Sequence, residues 1–277
     1  MSLRSLALDW TIDPSAAALL AQLAAAAALY LAAVNGGNRH ARPARRWPKY
    51  RTVFFLSGLA AAAIDLCSGI GTQADSRLSA HMLEHMILWI IVAPLLAAGA
   101  PVRLAFHALP RAGRHRLARC LHSRTVSALT SPVGSVSLFS AAILVTHIPA
   151  VYGLALTNDY LHESEHVLYL LTALLVWAPL IGADPLPHRA AARNQFVCVV
   201  ACMLPMVLIA LWLATTPSPV YGHYLAGLGP QALHDQRLAA TIMWAGGLLA
   251  LAVPALAQTR ISRPRRRQQT YPHQAPA

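Results

Sequence analysis

The stretch AHMLEHMILWIIVAPLLAAG, residues 80–99, decides the fold. Beyond His85 it contains no charged side chain, and it is 20 residues long. A helix rises 1.5 Å per residue, so such a run matches a hydrocarbon core roughly 30 Å thick. It therefore reads as a membrane-spanning helix. The same test applied outward finds six more runs, at 16–34, 52–70, 133–149, 160–182, 195–214 and 234–257, of which 133–149 is the shortest. The expected fold is all-α: a polytopic membrane protein whose seven-transmembrane-helix bundle occupies residues 1–258. A basic, flexible tail follows at 259–277.

Composition agrees. Of 277 residues, 56% are AVILMFWYC and 12% are charged, about half the ~25% that soluble domains carry. Mean hydropathy is +0.48. These values exclude a disordered chain and most cytosolic enzymes, and 4 Cys exclude a disulfide scaffold. The first run follows a single basic residue, Arg4, and precedes a dense basic stretch. A secretory signal has the opposite charge order, so a retained helix is expected.

The net charge of +12 poses a separate question, because greasy chains seldom carry it without a reason. The segment 35–51 holds Arg39, Arg42, Arg45, Arg46, Lys49 and Arg51. The segment 100–132 holds Arg103, Arg111, Arg114, Arg116, Arg119 and Arg124. Arg189 and Arg193 lie in 183–194, and Arg260, Arg263, Arg265, Arg266 and Arg267 lie in the tail. With seven spans all of these fall on one side, which takes 19 of 22 basic residues; Arg4, Arg77 and Arg237 remain on the other. The positive-inside rule then puts the N-terminus outside and the C-terminus in the cytoplasm. The charge is a topological label, and nucleic acid is not a partner. Within 100–132, Val102, Leu104, Phe106, Leu109, Leu117 and Leu121 alternate with arginines, as in an amphipathic surface segment or a solvated basic loop.

Histidines mark the opposite side. Of 13, seven lie at the outer ends: His81 and His85 open span 3, His147 closes span 4, His162 and His166 open span 5, and His223 and His234 adjoin span 7. Residues i and i+4 share a helix face, so His81/His85 and His162/His166 form two matched pairs. If spans 3 and 5 face each other, the pairs form a cage for one or two metal ions; a polar, pH-sensitive cluster without metal is the alternative. Metal–imidazole bonds of about 2 Å require the pairs to lie within about 10 Å.

Acidic residues share this geography. Asp65, inside span 2, is costly in a bilayer and thus a functional candidate. It can orient a ligating imidazole, bind metal directly, pair with Arg237, or remain a protonated carboxyl. Glu84 can support the site or pair with Arg77. Met82 and Met86 flank the span 3 histidines and would favour Cu(I) if they ligated, although methionine in an apolar helix is more often packing. Cys198, Cys202 and Met206 form a stripe on span 6 that reads as core filling.

Other chemistries fit less well. Haem needs axial ligands from opposite faces, membrane di-iron oxygenases use adjacent HH pairs, and transporters want polar residues at the midplane. There is no P-loop, dinucleotide fingerprint or nucleophile elbow. The pattern favours a metal-holding protein over an enzyme.

Several blocks resemble the membrane-integral CtaG family of cytochrome c oxidase assembly factors. They are HMLEHMILWIIVAPLLAAGAP at 81–101, HIPAVYGLALTNDYLHESEHVLYLLTALLVWAPLIGADP at 147–185 and DQRLAATIMW at 235–244. WTIDP at 10–14, YLAAV at 30–34, RRWPKYR at 45–51 and FFLSGL at 54–59 also fit. The run DLCSGIG at 65–71 departs from the family, so Asp65 and Cys67 rest on physical argument alone. The resemblance implies copper delivery to a haem–copper oxidase subunit in a bacterial inner membrane, with a copper donor protein as a further partner. It carries His81, Met82, His85, Met86, His147, His162, His166 and Asp235 into the matching blocks. The expected ligands for copper, as Cu(I), are His81, His85, His147, His162 and His166, supported by Asp65, Glu84, Met82, Met86 and Asp235. A membrane enzyme using iron or zinc at these histidines, or a metal-free assembly partner, stands as the alternative.

Overall fold

The computed structural model describes residues 14–39, 42–188 and 192–252, and these are helical with no strand among them. Helix α1 (Pro14–Arg39) is followed by α2 (Lys49–Cys67) and a short α3 (Gly69–Ala74). The long apolar stretch becomes α4 (Leu78–Ile87), a π-helical turn (Leu88–Val92) and α5 (Ala93–Ala98). Three short helices come next: α6 (Pro101–Ala108), α7 (Arg111–Leu121) and α8 (Arg124–Leu129). Then follow α9 (Pro132–Thr146), α10 (Pro149–Leu156), α11 (Asp159–Ile181), α12 (Ala192–Thr215), α13 (Gly222–Leu228) and α14 (Ala232–Ala250).

Among the described residues, five helical stretches are long and apolar enough to cross a membrane, and six if α9 and α10 count as one broken span. The chain is therefore a multi-pass membrane protein. The expected span 133–149 ends early, because the chain bends by 77° after Thr146. Pro149 cannot donate a helical hydrogen bond and so starts α10 instead. The expected span 234–257 is helical over Ala232–Ala250, but His234, Asp235, Gln236 and Arg237 make its first turns polar. Residues 253–257 of that span and the tail 259–277 lie outside the described residues, as does the N-terminal segment through 13.

Helix α4 packs against α14, α14 against α12, and α9 and α5 against α11, around one large apolar cluster. Met82, Met86, Cys198, Cys202, Met203, Met206 and Met243 all belong to this cluster. The expected core filling by the α12 stripe is what is seen. The α4/α14 contact depends on Gly246, where an added Cβ would sit 2.7 Å from the Met86 sulfur.

The π turn has a sequence cause. Pro94 has no N–H, so the carbonyl one turn earlier loses its usual donor. The Ala93 N–H instead reaches back five residues to the Leu88 carbonyl. This frees the Trp89 carbonyl, which accepts a 2.7 Å hydrogen bond from the Trp177 indole of α11. The bulge thereby ties α4–α5 to α11 just below the histidines.

At the arginine-rich end, the 100–132 segment folds into α6–α8 and is not an unstructured loop. Leu104 and Leu121 are buried while Arg111, Arg114, Arg116 and Arg119 are exposed, so the segment is amphipathic. Asp184 accepts a 2.7 Å hydrogen bond from the Arg103 backbone N–H in the first turn of α6. Burial raises its carboxyl above the ordinary aspartate range, against the pull of that bond and of the Arg103 charge.

Candidate metal centre

The histidine end of the bundle is built by α2, α4, the α9–α10 bend and α11. Helices α4 and α11 start at this end and run in the same direction. Their equally spaced histidines therefore meet in two tiers. The His81 and His162 rings stack with centroids 5.2 Å apart, and one turn deeper the His85 and His166 centroids are 5.7 Å apart. The two pairs meet the distance requirement for a shared site. His81, His85 and His166 are buried, and His162 is partly open.

Carboxylates cross between the helices. Glu84 of α4 reaches toward the α11 pair, with its Oε2 3.2 Å from His166 Nε2 but not aligned for a hydrogen bond. It does not pair with Arg77. Glu165 of α11 reaches toward the α4 pair. The candidate ligand atoms of His81, Glu84 and His162 lie within 4.8 Å of one another, as do those of His81, His85 and Glu165. Asp65, at the end of α2, is buried within electrostatic reach of Glu84, and neither of its oxygens has a hydrogen-bond partner. It makes no pair with Arg237. The chain turns sharply beyond it at Ser68, and Gly71 permits the return, since a Cβ there would meet the Leu66 carbonyl at 2.5 Å. The unusual run 65–71 is thus a built helix break.

Buried polar atoms are normally hydrogen-bonded. Here both ring nitrogens of His81, His85 and His166, the Nε2 of His147 and His162, and both oxygens of Asp65 and Glu165 have no such bond. So many lone-pair donors facing one another fit a bound cation. His147 stands beside the two groups of three. Its Nδ1–H donates to the Ile143 carbonyl at 2.8 Å, which leaves the Nε2 lone pair unprotonated and ready to ligate.

Tyrosines wall the site. His85 stacks on Tyr169 at 4.2 Å, and His81 packs against Tyr152 at 5.1 Å. Tyr152 hydrogen-bonds Tyr224 at 2.8 Å, and the Tyr224 hydroxyl donates to the Ala74 carbonyl. Tyr221 donates to the His147 carbonyl at 3.1 Å. Burial pushes the Tyr221 and Tyr224 phenols well above their ordinary range, so both stay neutral donors. On the other flank a cleft of about 410 Å³ opens between α1, α3 and α11. Glu84, His162 and His166 form its floor, and Asp75, Asp159 and Glu163 line it further out.

The supporting residues divide. Met86 faces Gly246 of α14, away from the imidazoles, and Met82 is fully buried in the same apolar cluster. Asp235 holds the start of α4. Arg77, the residue at its cap, offers no side-chain bond there. The Asp235 carboxylate accepts from Ser79 N–H at 3.1 Å and from Ser79 Oγ–H at 2.5 Å, two residues before His81. It is a positioning residue. Asp235→Ala should destabilise the protein by about 2–3 kcal/mol, since hydrogen bonds to charged groups contribute roughly 1.5–3 kcal/mol each. If the histidines hold a metal, its affinity should fall as well, because the start of α4 that aims His81 loses its anchor. Asp235→Asn should restore most of both, as read by thermal unfolding and metal titration.

Glu165 is not among the residues that the sequence singles out. Its signal is a repeat: α4 reads His-x-x-Glu-His at 81–85, and α11 reads it again at 162–166. The tyrosine wall has no comparable signal, since its members come from three separate segments. His223 is exposed, with Nε2 3.0 Å from the Asp75 carbonyl, and His234 is also exposed.

Residues 28–261, which contain every one of these site residues, match the cytochrome c oxidase caa3 assembly factor family, Caa3_CtaG. The chain belongs to that family. The Caa3_CtaG protein is also similar to an uncharacterized protein of Mycobacterium leprae, 27% identical over 245 residues that cover 84% of this chain and 37% of the relative. A second relative, an uncharacterized protein of Mycobacterium bovis, is 28% identical over 214 residues covering 73% and 32%. The chain thus spans about a third of the length of these curated relatives. No solved structure matches it significantly.

Proposed function

We propose that this Caa3_CtaG protein binds copper at the two-tier cluster and assists its delivery to a haem–copper oxidase subunit. Its partners would be that subunit, a copper donor protein and the surrounding lipid. It acts as a carrier and not as an enzyme. The observation that carries the reading is the convergence of His81, His85, His162, His166, Glu84 and Glu165 with buried nitrogen and oxygen atoms that make no hydrogen bond. His147 is the further ligand, and Asp65 and Asp235 support the site from α2 and α14.

In this reading the bundle has seven spans in a bacterial inner membrane, N-terminus outside and C-terminus cytoplasmic. Support comes from the charge pattern of the sequence, in which a seven-span order assigns 19 of the 22 basic residues to the side opposite the histidines. The cluster then faces the compartment in which an exported copper centre is loaded. Copper(I) was expected partly because of Met82 and Met86. With Met86 turned to α14, the donors are imidazole and carboxylate. Imidazole holds copper in either state, and the carboxylates add the oxygen ligands that Cu(II) accepts.

A carboxylate in each group also favours a second reading, an iron or zinc enzyme at the same residues. Metal analysis of protein purified without chelator separates the two. About one copper ion or more per chain, lost in His81→Ala/His85→Ala, supports the proposal. Iron or zinc instead supports the enzyme. No metal under copper-replete conditions overturns both.

A further inference from the structure

Resting on that reading, we infer that the cluster is two cation positions in series, an outer one open to the acidic cleft and an inner one closed off, sharing His81. The two groups of three overlap only at His81. The outer group adds Glu84 and His162, both of which line the cleft. The inner group adds His85 and Glu165, neither of which lines it; both are buried, and His85 is backed by Tyr169.

Three features separate the positions. Both His81 ring nitrogens lack a partner, so this residue can serve either position through one lone pair, and with both positions filled it bridges as an imidazolate, its ring proton released to solvent through the cleft. The repeated His-x-x-Glu-His segment supplies one glutamate to each group, and each glutamate crosses to the opposite helix. Charge also grades along the path. Asp75, Asp159 and Glu163 line the mouth, whereas the inner position has Glu165 alone among imidazoles. A divalent or monovalent cation entering from the cleft meets Glu84 and His162 first. It reaches His85 and Glu165 by ligand exchange: its bonds to Glu84 and His162 break as bonds to His85 and Glu165 form, with His81 held throughout and no change of oxidation state.

The test is stoichiometry on the full chain in lipid nanodiscs, titrated with Cu(II) and read by native mass spectrometry. Wild type should bind two ions, and Glu84→Gln and Glu165→Gln one each. Because these isosteric variants can still perturb folding, the doubly loaded wild type supplies an independent reading: the half-field EPR transition of a close Cu(II) pair. A single ion in wild type, lost equally in both variants, overturns the two-position arrangement but leaves the copper reading standing. No bound ion overturns both. Two ions without the half-field transition also overturn the inference, since they would occupy unconnected places.

Discussion

Copper added to the metal-free protein should raise its thermal midpoint by about 10 °C. The effect follows from linkage, because the site exists only when α4 and α11 are packed together. An ion that binds the folded state alone stabilises it by about 4 kcal/mol at a thousandfold excess over its dissociation constant. For a chain of this size each kcal/mol moves the midpoint by about 2–4 °C. The His81→Ala/His85→Ala protein should show almost no shift, since both groups of ligands lose members. Differential scanning fluorimetry in detergent, with and without copper, makes the comparison. An equal shift in wild type and double variant would mean that copper acts elsewhere on the chain.

Glu165→Leu should stabilise the protein in the absence of metal. The buried Glu165 carboxylate makes no hydrogen bond and faces imidazoles that also have none. Leaving a polar group buried without a partner costs about 1–3 kcal/mol, and leucine of similar volume removes that cost. The metal-free variant should therefore melt about 5 °C higher than wild type, while its copper-induced shift shrinks because the inner group is gone. A protein that becomes more stable as it loses its ligand is the signature of a site maintained for binding, not for folding. If Glu165→Leu melts lower without metal, the carboxylate is structural.

Much of this was legible in the sequence, for physical reasons that differ by residue. The His81/His85 and His162/His166 pairs could be read because helical spacing fixes a shared face, and span order fixes a shared end. Asp65 could be singled out because a carboxylate in an apolar run demands an explanation. The direction of Met86 could not, since methionine packs more often than it ligates but does both, and only Gly246, far along the chain, shows which way it turns. The break of the fourth span after Thr146 was hidden because the chain beyond His147, IPAVYGLAL at 148–156, is again apolar, so hydropathy runs on past the bend. Glu165 was obscured by its neighbours: the five polar residues His162 to His166 in a row do not say which acid turns inward. Asp235 was placed by resemblance alone, and its bond to Ser79 gives the reason. Family membership and the all-helical membrane architecture stand as read; α14, with polar first turns, is where hydropathy alone falls short of the seventh span.

The π turn at Leu88–Val92 sets the angular phase of the histidines. It inserts one residue between the part of the helix anchored by Trp177 and the part that carries His81 and His85. In a regular helix one residue corresponds to about 100° of rotation. Without the insertion, the same side chains would sweep round toward the face that Met82 and Met86 now present to α14. The proline that disrupts the helix at position 94 thus determines, two turns away, whether the imidazoles point at each other or into the apolar core.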